Sequence, residues 1–171
     1  MLRLPVLLPL LLASIASAEQ ARPYPWIDAI DEANQLGARI QPPAGFQRAA
    51  CEEGSFAAWL RGLPLKAGAP QVLLFDGRPK GNQEAHVAVL DLDVGGRDLQ
   101  QCADAVIRLR AEYLYSRGET DRISFHFTSG DEASLARWSE GFRPKVRGNK
   151  VEWAKSASSD QSRTSWSMAS C

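Results

Sequence analysis

Residues 95–118 read GGRDLQQCADAVIRLRAEYLYSRG, and this stretch decides the fold class. Asp98 is a good N-cap residue and Gln101 stands three positions on, the spacing at which two side chains can satisfy backbone N–H groups at a helix start. Gly118 supplies the left-handed residue on which helices commonly end. The pattern predicts one long helix over about 98–117. Leu99, Cys102, Val106, Leu109 and Tyr113 recur at steps of three and four, so they are expected to form a buried stripe that includes Cys102.

On the N-terminal side, Gln71 to Phe75 is an apolar β-type run, Asp76-Gly77 and Gly81-Asn82 punctuate turns, and His86 to Asp93 (HVAVLDLD) reads as a returning strand. A hairpin with a long loop is expected. His86, Ala88, Leu90 and Leu92 would share one face, with Val87, Val89, Asp91 and Asp93 on the other. Asp91 and Asp93 can be read as metal ligands, but without further clustered carboxylates or histidines a solvated strand end is the plainer reading. Further upstream, Ser55 is a fair N-cap for a short helix carrying Phe56, Trp59, Leu60 and Leu63, stopped by Pro64.

On the C-terminal side, Arg122 to Thr128 alternates strictly and predicts a third strand with Ile123, Phe125 and Phe127 inward. Ser129 or Asp131 can cap a short helix bearing Leu135 and Trp138 and ended by Gly141, and Val151 to Ala154 reads as a fourth strand after the turn at Gly148-Asn149. Helices and strands in this irregular order imply an α+β class: a small mixed or antiparallel sheet, one long helix and short flanking helices.

Arg3, the apolar run Leu4 to Ile15 and the small residues Ala16-Ser17-Ala18 make a signal-peptide pattern over residues 1–18. The run falls short of the roughly 20 apolar residues a membrane span needs, so a secreted or periplasmic chain beginning at Glu19 is expected. Residues 19–43 read as a proline-broken leader with a short helix from Trp26 to Leu36, and 44–154 as a single domain. Residues 155–171 are a serine-rich tail of disordered or truncated type. Twenty basic and twenty acidic residues cancel without long blocks, so nothing points to nucleic acid or an anionic membrane surface.

Cys51, Cys102 and Cys171 are an odd set for an oxidising compartment. A Cys51–Cys102 disulfide with Cys171 incidental is the bland reading. A cysteine near a helix N-terminus can instead be a nucleophile, because the helix dipole and free amides favour the thiolate. It would need a histidine base, and His86 and His126 are the two in the chain. His86, on the strand before the helix, is the first candidate. Against this, a cysteine on an apolar stripe is most often a small core residue. No P-loop, GxSxG, HExxH or paired CxxC is present, and neither a metal nor a cofactor is implied.

Four phrases together carry a resemblance: PPAGFQR at Pro42 to Arg48, SFAAWLRGLPLK at Ser55 to Lys66, HVAVLDLDVGGRDLQQCADAVIRLRAEYLY at His86 to Tyr115, and FHFTSG at Phe125 to Gly130. The chain resembles the exported bacterial family known as domain of unknown function 4846 over about 40–153. The resemblance brings no activity with it. It implies a chain that runs on into a glycine-rich strand with a histidine, similar to NlpC/P60-like and other papain-like folds. Cys102 would then match the nucleophile, the core here would be an incomplete papain-like one, and a base would lie beyond a truncation or frame shift after about Arg163.

Three readings follow. One is an exported cysteine-dependent amide or peptide hydrolase with Cys102 as nucleophile and His86 or a missing histidine as base. A second is a noncatalytic periplasmic or envelope domain whose partners are cell-envelope components, with Cys102 in the core or paired to Cys51. A third is a nonfunctional fragment.

Overall fold

A computed structural model describes residues 22–95, 98, 101–156 and 158; the signal-peptide segment, Leu99 and Cys171 lie outside them. The helices α1 (Leu36–Arg39), α2 (Phe56–Arg61) and α3 (Cys102–Ser116) come first. They are followed by a hairpin of β1 (Ser124–His126) and β2 (Glu132–Ser134), then α4 (Leu135–Ser139) and a second hairpin of β3 (Phe142–Arg147) and β4 (Lys150–Lys155). Both hairpins are antiparallel, so the class is α+β with the sheet divided into two pairs of strands. These elements give no support for a papain-like core among the described residues.

Local signals that depend on near neighbours act as the sequence predicts. The Ala58 N–H donates to Ser55 Oγ at 3.2 Å and starts α2. At the end of α3, Gly118 has φ 71°. The Glu119 N–H donates to the Leu114 carbonyl and the Gly118 N–H to that of Tyr115, each at 2.9 Å, which satisfies carbonyls the helix leaves open. Gly148 at φ 60° turns β3 into β4.

Five expectations are corrected. Helix α3 begins at Cys102 because Asp104 Oδ2 accepts the Gln101 N–H at 3.1 Å, so a carboxylate three residues on fixes the start later than Asp98 would. The expected stripe is also displaced: Cys102 is exposed and Val106 is 65% exposed, while Arg108, Ala111, Glu112, Tyr113 and Leu114 are buried. Arg108 Nε and Glu112 Oε1 lie 3.1 Å apart one turn along the helix, and this mutual neutralisation lets two charged side chains occupy the inner face.

The 71–75 and 86–93 runs do not pair. Residues 72–80 close on themselves through bonds from the Leu74 N–H to the Arg78 carbonyl and from the Lys80 N–H to the Val72 carbonyl. Residues 89–91 bond instead with Pro64 and Lys66, just after α2. This leaves Leu73, Leu74, Phe75 and Val87 exposed. Ser134, rather than Ser129 or Asp131, caps α4, since residues 132–134 are already committed to β2.

The N-terminal segment forms a 3-10 turn at Glu32–Asn34 and α1, in place of a helix over 26–36. It also delivers Tyr24 to the core beside Trp59, Leu63, Ala111, Tyr113, Leu114 and Ile123. Tyr24 is 4% exposed and donates its hydroxyl to the Trp59 carbonyl at 2.7 Å.

A Cβ at Gly62 would lie 2.3 Å from the Tyr24 hydroxyl oxygen, a clash of side chain rather than of backbone conformation. Gly62→Ala is therefore expected to lower stability by about 1–3 kcal/mol. Adding Tyr24→Phe should recover much of that loss, as read by the melting temperature of single and double variants. Burial pushes the Tyr24 hydroxyl from 10.0 to about 12. Its contribution to stability is present below pH 10 and is lost as pH rises toward 12, because the unfolded chain ionises first. Denaturant midpoints across that window should fall more steeply in the native chain than in Tyr24→Phe.

Candidate functional site

Alternation along β1 and the helical spacing of α3 bring apolar groups from separate elements to one place. Asp104 and Ile107 stand three residues apart on α3 and so share a helix face. Opposite them, the β1 segment supplies Phe125 and Phe127, α4 supplies Trp138, and the second hairpin supplies Trp153, whose cross-strand partner is Pro144. Together these residues line a groove of about 340 Å³. That volume is at the small end of ligand sites, which run from about 300 to 1,000 Å³.

The aromatic rings are held at fixed angles. Phe127 and Trp153 have centroids 6.5 Å apart and planes inclined by 56°. The Arg143 guanidinium lies 3.6 Å from the Trp138 ring centre, and that of Arg137 lies 5.8 Å from Trp153, so each tryptophan has a cation over one face. Arg143 Nη1 also donates to the Trp138 and Phe142 carbonyls, which ties its guanidinium to the backbone. The polar lining consists of Asp104, His126, Thr128 and Ser134, without lysine or arginine.

The residues singled out from the sequence have other surroundings. Cys102 is the exposed first residue of α3, two positions before Asp104 and hence about 200° around the helix from the face that meets the groove. No hydrogen bond joins Cys102 to His86 or His126 among the described residues. His86 is half-buried and donates its Nε2–H to the Pro70 carbonyl at 3.2 Å, which ties down the 70–86 loop. His126 lines the groove. Cys51 Sγ accepts from Arg61 Nη1 at 2.9 Å, and Cys51 and Cys102 are both free thiols, so the expected disulfide is not formed. Asp93 Oδ1 accepts the Gly95 N–H at 2.8 Å in a local turn.

A second hollow of about 520 Å³ lies between the N-terminal segment, α2 and the end of α3. Its polar groups serve the fold: Tyr24 bonds to the Trp59 carbonyl, Tyr113 to the Gly54 carbonyl at 2.8 Å, and Arg117 Nε to Glu119 at 2.6 Å. The smaller groove is the better candidate site. The sequence marks Phe125 and Phe127 as inward residues and places Trp138 on a short helix, yet nothing in their spacing shows that they meet Trp153 around an opening.

A family model described as "Domain of unknown function (4846)" matches residues 36–168. No curated protein and no solved structure matches the chain. No helix among the described residues is long and apolar enough to cross a membrane.

Exposure orders the two described thiols. Brief treatment of the folded protein with iodoacetamide, followed by peptide mass mapping, is expected to modify Cys102 well before the half-buried, arginine-bound Cys51. Equal rates would contradict the placement of Cys102 on the open face of α3.

Proposed function

The chain belongs to the family of domain of unknown function 4846, and from that premise we propose that it is an exported, noncatalytic binding domain that takes a small ligand into the groove between α3, the two hairpins and α4. The observation that carries this reading is the convergence of Phe125, Phe127, Trp138 and Trp153 around an opening with few polar groups. A concave, mostly apolar site with a handful of orienting polar side chains is the usual form of a small-molecule site. Export rests on the pattern of residues 1–18, and envelope components are the partners such a location offers. The cleaved product should begin at Glu19 by intact mass.

The test is titration with the neutral apolar dye N-phenyl-1-naphthylamine, read by its fluorescence. Saturable binding is expected, weakened at least about tenfold in Trp153→Ala or Phe127→Ala and unchanged in Leu74→Ala, an exposed apolar residue outside the groove. Unaltered binding in folded Trp153→Ala would overturn the assignment.

A cysteine hydrolase is the second reading, favoured by one observation: Cys102 is solvent-exposed at the first position of a 15-residue helix. The pH dependence of alkylation separates the two readings. A Cys102 that reacts only as pH approaches the ordinary thiol range of about 8.5 supports the binding domain, and one already fully reactive near pH 6 supports the hydrolase.

A further inference from the structure

We infer that the tip of the second hairpin is a docking surface for an anionic lipid bilayer. Residues 142–155 read FRPKVRGNKVEWAK, in which Arg143, Lys145, Arg147, Lys150 and Lys155 stand against the single acid Glu152. The even charge balance of the whole chain conceals this local excess. The antiparallel register then gathers it: Lys145 is opposite Glu152 and Arg147 is opposite Lys150, and side chains opposite each other in this alternation share one face of the hairpin. All four are exposed.

Like charges directly opposite each other repel, so the Arg147 and Lys150 pair costs the hairpin stability. Among the described residues, none of Lys145, Arg147 and Lys150 forms an ion pair, which leaves the tip able to meet an anion from outside the chain. The other face favours a bilayer over a soluble polyanion. There Val146 stands opposite Val151, and Val146 is 61% exposed. An exposed aliphatic side chain gains nothing from a nucleic acid backbone, whereas at the boundary between headgroups and acyl chains it leaves water. A hairpin entering tip first brings both faces into that layer, with the Lys and Arg stems along the apolar edge and their charged heads at the lipid phosphates. The polar turn at Gly148-Asn149 keeps the insertion shallow. Pro144 and Trp153, which line the groove, lie farther from this turn, so the surface is separate from the groove and stands without it.

The experiment is co-sedimentation of the full mature chain with vesicles of phosphatidylglycerol and phosphatidylcholine in equal parts, or of phosphatidylcholine alone, with titration of a short DNA duplex as a separate arm. Binding is expected to the anionic vesicles only, and is expected to be lost at about 0.5 M salt. Arg147→Gln combined with Lys150→Gln should weaken it at least about tenfold and leave the melting temperature unchanged or higher. Lys66→Gln combined with Lys80→Gln removes the same charge from exposed positions elsewhere and should change binding by no more than about twofold. Val146→Ser should weaken vesicle binding. The inference is overturned by absence of binding to the anionic vesicles, by equal binding to the neutral ones, by binding that survives salt, or by equal loss in the two double variants. Vesicle binding unchanged in Val146→Ser, or duplex DNA bound as tightly as the vesicles, overturns the lipid assignment in favour of a soluble polyanion.

Discussion

Trp59 sits where three distant stretches of chain meet. Its ring packs against Tyr24 at 5.3 Å and Trp26 at 6.2 Å from the N-terminal segment, Phe56 at 6.0 Å from its own helix, and Tyr113 at 5.9 Å from α3. The indole N–H donates to the Pro23 carbonyl at 2.6 Å, and the Trp59 carbonyl receives the Tyr24 hydroxyl. An aromatic side chain of this size buries more apolar area than any aliphatic one, and its polar edge must find a partner once enclosed. Both conditions are met by the same segment. Residues 22–27 are thereby part of the core, and α2 and α3 are held against each other through a shared ring rather than through a long helix interface.

That arrangement explains which half of α3 is buried. The aromatic cluster reaches the helix at Ala111 to Leu114, so the C-terminal half is enclosed and the N-terminal half is left partly open beside the hairpins. The Arg108–Glu112 pair lies at the border between the halves. An intact buried pair of this kind contributes little net stability, because desolvation offsets much of its attraction. Its mutual neutralisation allows two charged side chains to lie on the enclosed face of α3.

What could be read from the residues follows the distance over which each signal acts. The Ser55 cap, the Gly118 helix end, the β1 strand and the Gly148-Asn149 turn depend on neighbours within a few positions and are legible. The pattern places the start of α3 at Asp98 with Gln101 as its capping-box partner, whereas the Asp104 carboxylate takes the Gln101 N–H and makes Gln101 the cap. The buried stripe was drawn through apolar residues, and a pattern that scores Arg108 and Glu112 as polar cannot see that they neutralise each other. Pairing of 71–75 with 86–93 failed because the Asp76-Gly77 turn is tight enough to close on Val72 and Lys80, leaving residues 89–91 to bond beside α2. The groove is a tertiary feature. Each of its aromatic residues has the alternation or helical spacing of an ordinary core residue, and only the placement of two separate hairpins around α3 and α4 makes them line an opening.

The Trp59 cluster also sets an order of events in biosynthesis. Tyr24 and Trp59 are 35 residues apart and Gly54 and Tyr113 are 59 apart, so the core is made of contacts of high sequence separation, which form slowly. A chain emerging from its N-terminus exposes Tyr24, Trp26, Phe56 and Trp59 well before Tyr113 exists to cover them. Until α3 has been made, those aromatic side chains lack the Ala111, Tyr113 and Leu114 surface that encloses them in the finished core.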